Sequence, residues 1–251
     1  MHHLTWLGAL AVFGAGGLAG MMNAIVGSGS LITFPTLVAL GYSPLVANVS
    51  NNVGLVFGNI SGIHGYRREL VGQGPRIRAL TPWSAAGGLV GATLLLLDHE
   101  AFKEIVPWLI ILAVVMVILQ PRLTRALASR HGGAEHGGLL LRAGSFLTGV
   151  YGGYFGAAQG VILIAILAIC IDDSLQRLNG YKNVAAGFVN LLAGILFIIF
   201  APVNWTLAGI IAVSSILGAQ VGAKVGRRLP PQVLRAVIVV GGLSVAIYLL
   251  R

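Results

Sequence analysis

No charged residue occurs between positions 4 and 40. As one straight helix, at ~1.5 Å per residue, this apolar run would be about 55 Å long, against a hydrocarbon core of ~30 Å. It must therefore break, and Gly14, Gly16, Gly17, Gly20, Gly27 and Gly29 mark the candidate positions. Further apolar runs predict spans over about 44–66, 78–97 and 104–120. A second overlong stretch, 143–171, precedes spans near 178–200, 204–223 and 236–250. Between the halves, 121–142 is polar, glycine-rich and basic, and reads as a linker. The pattern predicts an all-α polytopic membrane protein: a membrane unit over 1–121, a cytoplasmic linker over 122–142 and a second membrane unit over 143–251.

Composition removes the soluble alternatives. Hydrophobic residues make up 57% of the chain and charged residues 9%, where a soluble domain carries about 25%. The 36 glycines suit helices packed backbone to backbone in lipid. A single cysteine, Cys170, excludes an intrachain disulfide and a thiolate metal site. The net charge of +9 is spread over short stretches between apolar runs. It reads as a set of topology determinants, so the expected partner is the lipid bilayer and not nucleic acid. Met1-His2-His3 has no cationic leader character, so the start is expected to be a first membrane segment.

The two units are copies. A shift of 129 residues places Gly20 on Gly149 and Gly27 on Gly156. A shift of 131 places Asn48, Asn52 and Asn59 on Asn179, Asn183 and Asn190, and Ser84, Gly87 and Gly91 on Ser215, Gly218 and Gly222. Equivalent loops carry opposite charge bias. Arg67, Arg68, Arg76 and Arg78 correspond to the uncharged 201–204, whereas acidic Asp98, Glu100 and Glu104, with Lys103, correspond to Lys224, Arg227, Arg228 and Arg235. Opposite bias predicts opposite sides, hence inverted repeats. With 67–78 in the cytoplasm, 13 basic residues fall inside, against Lys103 and Arg251 outside. That topology puts both termini outside a cell (inner or plasma) membrane. It also makes each overlong stretch a pair of short segments, either a re-entrant hairpin or two thin spans.

Three motifs then bring a family into view. They are the run Gly27-Ser28-Gly29-Ser30-Leu31-Ile32-Thr33-Phe34-Pro35, the segment Asn179-Gly180-Tyr181-Lys182-Asn183 that continues to Asn190, and Leu217-Gly218-Ala219-Gln220-Val221-Gly222-Ala223-Lys224 before Arg227-Arg228-Leu229-Pro230-Pro231. In this order, over nearly the whole chain, the sequence resembles the sulfite exporter TauE/SafE family of membrane permeases. The resemblance implies an anion permease with sulfite or organosulfonates as family substrates. One departure is the second break, Gly156-Ala157-Ala158-Gln159-Gly160, which has fewer glycines than the first.

The candidate substrate-binding residues follow from polarity inside apolar spans. Asn48, Asn52 and Asn59 lie within about 40° of one another on a helix face, and Asn179, Asn183 and Asn190 repeat the stripe. Buried amides serve equally as anion donors or as glue between helices, and both readings stand. A helix starting after Gly29 would aim N–H groups and its positive dipole end inward. Gly27, Ser28, Gly29 and Ser30 therefore form a candidate anion cradle, with Gln159 replacing Ser30 in the second copy. Lys182 is the charged residue inside a span, either a substrate contact or a side chain snorkelling to the interface beside Arg177.

No Asp or Glu lies within a span, which favours an anion over a cation. His64 sits near a span end and reads as interfacial. The rows Gly54/Gly58/Gly62, Gly87/Gly91 and Gly218/Gly222/Gly226 read as packing seams and leave room for a homodimer. No nucleophile–base pair, metal motif or nucleotide loop is present, so neither enzyme activity, metal nor cofactor is expected. The expected function is export of a small oxyanion by alternating access around a midplane site. The alternatives are a cation or metal transporter, and a membrane enzyme or assembly factor.

Overall fold

The computed structural model describes residues 4–127 and 138–225 together with Leu243, Ala246, Ile247 and Leu249. The span expected over 236–250 lies largely outside those residues, and the middle of the linker (128–137) and Arg227, Arg228 and Arg235 lie outside them. The described residues form α1 (Trp6–Ile25), α2 (Ser30–Ala39), α3 (Pro44–Gly65), α4 (Gly74–Leu97), α5 (His99–Leu127), α6 (Leu139–Tyr154), α7 (Gln159–Cys170), α8 (Leu175–Phe200) and α9 (Trp205–Val225). Local chemistry sets several starts. Thr5 Oγ1 accepts the Gly8 N–H, Ser43 Oγ accepts that of Val46 ahead of Pro44, and Ser174 Oγ accepts that of Arg177.

Three expectations change. The first break lies at 26–29, so Gly14, Gly16, Gly17 and Gly20 are inside α1. Gly16 and Gly20 are packing positions, where a Cβ would overlap Ser214 Oγ and the Ser215 carbonyl of α9, whereas Gly14 faces open space. Each overlong stretch is a pair of helices, as expected, but the first member of the first pair is not short. At 20 residues α1 can cross a bilayer, while α2 and α7, with 10 and 12 residues, cannot. Finally, the segment read as linker is helical at both ends, because α5 runs on to Leu127 and α6 begins at Leu139.

Among the described residues, five helices are long and apolar enough to span a membrane: α1, α4, α5, α8 and α9. At 22 residues α3 has the length, but its asparagines dilute its hydropathy. Those asparagines are buried among neighbouring helices, so lipid never meets them. The packing repeats itself under exchange of the halves. α1 lies on α9 as α6 lies on α4, α3 lies on α9 as α8 lies on α4, and α3 meets α8 at the centre. The seams close inside the chain: Gly54 and Gly58 meet Ile211 and Ser215, Gly87 and Gly91 meet the backbone of α6, and Gly218 and Gly222 meet Gly17 and Met21.

One end of the bundle is tied by polar contacts between the halves. Gln73, the residue ahead of α4, donates from Nε2 to the carbonyl of Arg177 in the first turn of α8 (2.8 Å). α3 and α8 run antiparallel, since Gly62 faces Asn183, Gly187 faces Asn59 and Gly194 faces Asn52. Asp173 completes the tie by accepting Arg76 Nη1 at 2.9 Å and Arg177 Nε at 3.0 Å. Partial burial pushes the Asp173 carboxyl up. Hydrogen bonds from Arg76, the Ser174 N–H and Arg177 outweigh that and hold it below the usual carboxylate range. Its stabilisation is therefore complete above an unfolded-state pKa of about 4 and is lost as pH falls through the lowered folded value. In detergent, the thermal midpoint should fall between neutral and strongly acidic pH. Asp173→Asn should have a lower midpoint at neutral pH and a smaller acid-induced drop; parallel pH profiles for the two proteins would remove Asp173 from the tie.

Candidate functional site

The two breaks cross. Gly27 (φ +88°) and Gly156 (φ +78°) turn their loops through left-handed backbone conformations that glycine adopts freely. The Gly160 N–H donates to the Gly27 carbonyl at 3.1 Å, so the chain before α2 touches the first turn of α7. A Cβ on either glycine would overlap the other's Cα. Beside this crossing lies a cavity lined by Asn23, Gly27, Ser30, Asn59, Gly156, Gln159, Gly160, Lys182, Ala186 and Asn190. It offers about 10 Å³ to the centre of a water-sized sphere, close to the limit for one water molecule.

Half of the residues singled out from the sequence meet there: Gly27, Ser30, Asn59, Gln159, Lys182 and Asn190. Lys182 is completely buried, which overturns the snorkelling reading. Its Nζ donates to the Asn23 carbonyl at 2.8 Å and lies 3.5 Å from that of Ala24. These carbonyls belong to the last turn of α1, where the helix dipole is negative and a cation is stabilised. Around the same cavity, the side-chain nitrogens of Asn59 and Gln159 are buried without a hydrogen-bond partner. Unpaired buried amide donors cost about 1–3 kcal/mol each, so they mark a place for an acceptor. No carboxylate is among the described lining residues.

Five of the other six serve as connectors. Asn48 Nδ2 donates to the carbonyl of Tyr154, the last residue of α6. Asn179 Nδ2 donates to the Ala24 carbonyl and the Tyr66 hydroxyl, and Asn183 Nδ2 to the same Ala24 carbonyl. An asparagine on the third helix of each half thus caps the first helix of the other half, filling carbonyls left open at the break. Asn52 Nδ2 donates to Asn190 Oδ1 at 3.3 Å, joining α3 to α8. Gly29 also differs from expectation: its N–H is taken by Asn23 Oδ1 at 2.7 Å, and a Cβ there would overlap the Ala19 carbonyl. It braces the hairpin and offers no free donor. Ser28 Oγ is buried without a partner and lies outside the cavity lining.

Asn23 and Gly160 were missed as site residues. Asn23 is a lone amide in the charge-free 4–40 run, the same signal that drew attention to the asparagine stripes. Its counterpart 129 residues on is Gly152, and a Cβ there would overlap the side chain of Gln159. One half thus supplies the polar group from the helix before the break, the other from the helix after it.

Helices interrupted inside a bundle, around a buried cation and amides without partners, define a polytopic membrane transporter. Residues 12–249 match the model of the family described as "Sulfite exporter TauE/SafE". The chain belongs to that family. It is 26% identical over 230 residues to a "Probable membrane transporter protein" of Haemophilus influenzae, covering 91% of this chain and 89% of that one. It is 27% identical to YfcA of Escherichia coli K12, which bears the same description, covering 89% and 82%. A relative from Sinorhizobium sp, "Probable membrane transporter protein ORF9", is 25% identical with 95% and 91% covered. No solved structure matches.

Proposed function

We propose that the chain exports a small oxyanion, sulfite or an organosulfonate, by alternating access around the crossing of the two breaks. The observation that carries this reading is the donor set around one cavity: the Lys182 ammonium, the unpartnered amide nitrogens of Asn59 and Gln159, and Ser30. Such a set turns N–H and O–H donors and a positive charge toward an anion, and no carboxylate among the described lining residues offsets them for a cation. The cavity is about one water in size, so an oxyanion enters only after the hairpins part. The antiparallel run of α3 and α8 and the exchange symmetry of the packing support inverted repeats rocking about this point. An inside-negative potential would drive the anion outward, contributing ~2.3 kcal/mol per charge per 100 mV. The test is flux in proteoliposomes with sulfite, sulfate, a sulfonate and a small carboxylate. Transport of sulfite or the sulfonate, faster with the potential imposed, is expected; transport of a metal cation instead would reverse the reading.

Inversion has its own check. In a Cys170→Ser background, a cysteine at position 72 should label from the cytoplasm, and cysteines at 99 and 203 from outside a cell membrane. Labelling of 72 and 203 from the same face would make the repeats parallel.

A further inference from the structure

A second cavity, of about 360 Å³, opens at the end of the bundle where α3 and α9 finish. Its described lining is Gly65, Arg67, Arg68, Gln220, Ala223 and Lys224. The basic residues at this end divide into two kinds. Arg76 and Arg177 are committed to Asp173. Arg67, Arg68 and Lys224 pair with no carboxylate among the described residues, and all three are exposed. Three cations around one cavity repel one another, and an anion between them removes that cost. Guanidinium groups present planar forks that match an oxyanion's oxygens two at a time. The cavity is also built rather than incidental. Arg67 Nη1 is steadied by the His64 carbonyl at 3.3 Å, and Gln220 Nε2 by Ser61 Oγ at 2.8 Å.

Its inner wall leads to the central cavity. Ala223 and Tyr66 pack on Ala24, whose carbonyl receives Asn179, Asn183 and Lys182. The Tyr66 hydroxyl accepts from Asn179. Ala24 thus packs with Ala223 of the outer basic cavity and meets the buried lysine with its carbonyl.

We propose that Arg67, Arg68 and Lys224 form a binding site for a sulfonate- or phosphate-like oxyanion, separate from the central cavity. Two sources share that chemistry: the soluble anion on its way through the protein, and the head group of an anionic lipid. The soluble role rests on the export reading; the site itself does not.

The experiment therefore reads binding rather than flux. Sulfate binding to the detergent-purified full chain is measured by titration calorimetry at low and high salt. Retention of phosphatidylglycerol against phosphatidylcholine is followed by native mass spectrometry. Wild type, R67Q/R68Q/K224Q and K182M are compared. The wild type and K182M should bind sulfate in a salt-sensitive phase that the triple variant weakens roughly tenfold or more, about 1.4 kcal/mol. The exposed triple variant should keep the wild-type thermal midpoint. If phosphatidylglycerol, and not sulfate, is held by the wild type and lost by the triple variant, the site stands with a lipid as its occupant. Equal sulfate binding and equal lipid retention in wild type and triple variant overturn it. Vesicles that carry no anion would defeat the export reading without touching this result. Conversely, normal flux beside unchanged binding would defeat only the outer site.

Discussion

Lys182→Met is expected to cut anion flux about 10- to 100-fold while the protein remains folded. Methionine keeps the length of the side chain that lines the cavity beside Gly160 and removes the ammonium. A hydrogen bond to a charged group contributes about 1.5–3 kcal/mol, which sets the size of the loss if the ammonium contacts the transported anion. Folding should survive, because an ammonium without a carboxylate partner is costly to bury and its removal relieves that desolvation. The Ala24 carbonyl also keeps its donors from Asn179 and Asn183. Lys182→Arg retains the charge and should recover part of the flux. Flux and thermal midpoint measured on the same preparations decide the matter. A Lys182→Met protein that transports at the wild-type rate would make the lysine a brace for the end of α1 and nothing more.

Gly27→Ala is expected to be among the most damaging single methyl additions in the chain. Left-handed backbone costs alanine about 1–2 kcal/mol relative to glycine. The new Cβ would also overlap the Gly160 backbone, and overpacking adds about 1–3 kcal/mol. Gly14→Ala is the matched control, since a Cβ there meets open space. Inside α1 that change should be neutral or stabilising by up to about 1 kcal/mol through helix propensity. Expression and thermal midpoints of the two variants should diverge sharply; equal behaviour would mean that the breaks do not cross as described. The same reasoning predicts that Gly29→Val loses the fold together with flux, because its Cβ overlaps the Ala19 carbonyl. Ala158, at φ +61°, should gain from replacement by glycine.

Helix existence was legible from apolar length, because lipid leaves a chain little choice but to satisfy its own backbone. The break at 26–29 was legible as a necessity but not as a place: glycines that let α1 lie against α9 look the same in sequence as glycines that turn a chain. The asparagine stripes were legible as buried. Whether each amide faces a cavity or a neighbour's carbonyl depends on where the other half's helices end, and that is a tertiary fact. Asn48 and Asn179 became caps because Tyr154 and Ala24 present carbonyls to them across the repeat boundary. Lys182 could be read as snorkelling because its distance from Arg177 is short along the chain, yet α8 turns it inward onto α1.

The hydrogen bond between Gly160 and Gly27 also bears on leakage. Two backbones in contact leave no room for water between them, so under the proposed cycle an ion passes this point only when the hairpins part. On that proposal each passage waits for a collective motion, and such motions take microseconds to milliseconds. Turnover is then capped at roughly thousands of events per second or fewer for millisecond opening. In planar bilayers the protein should give a small macroscopic current without single-channel steps, steeply dependent on temperature.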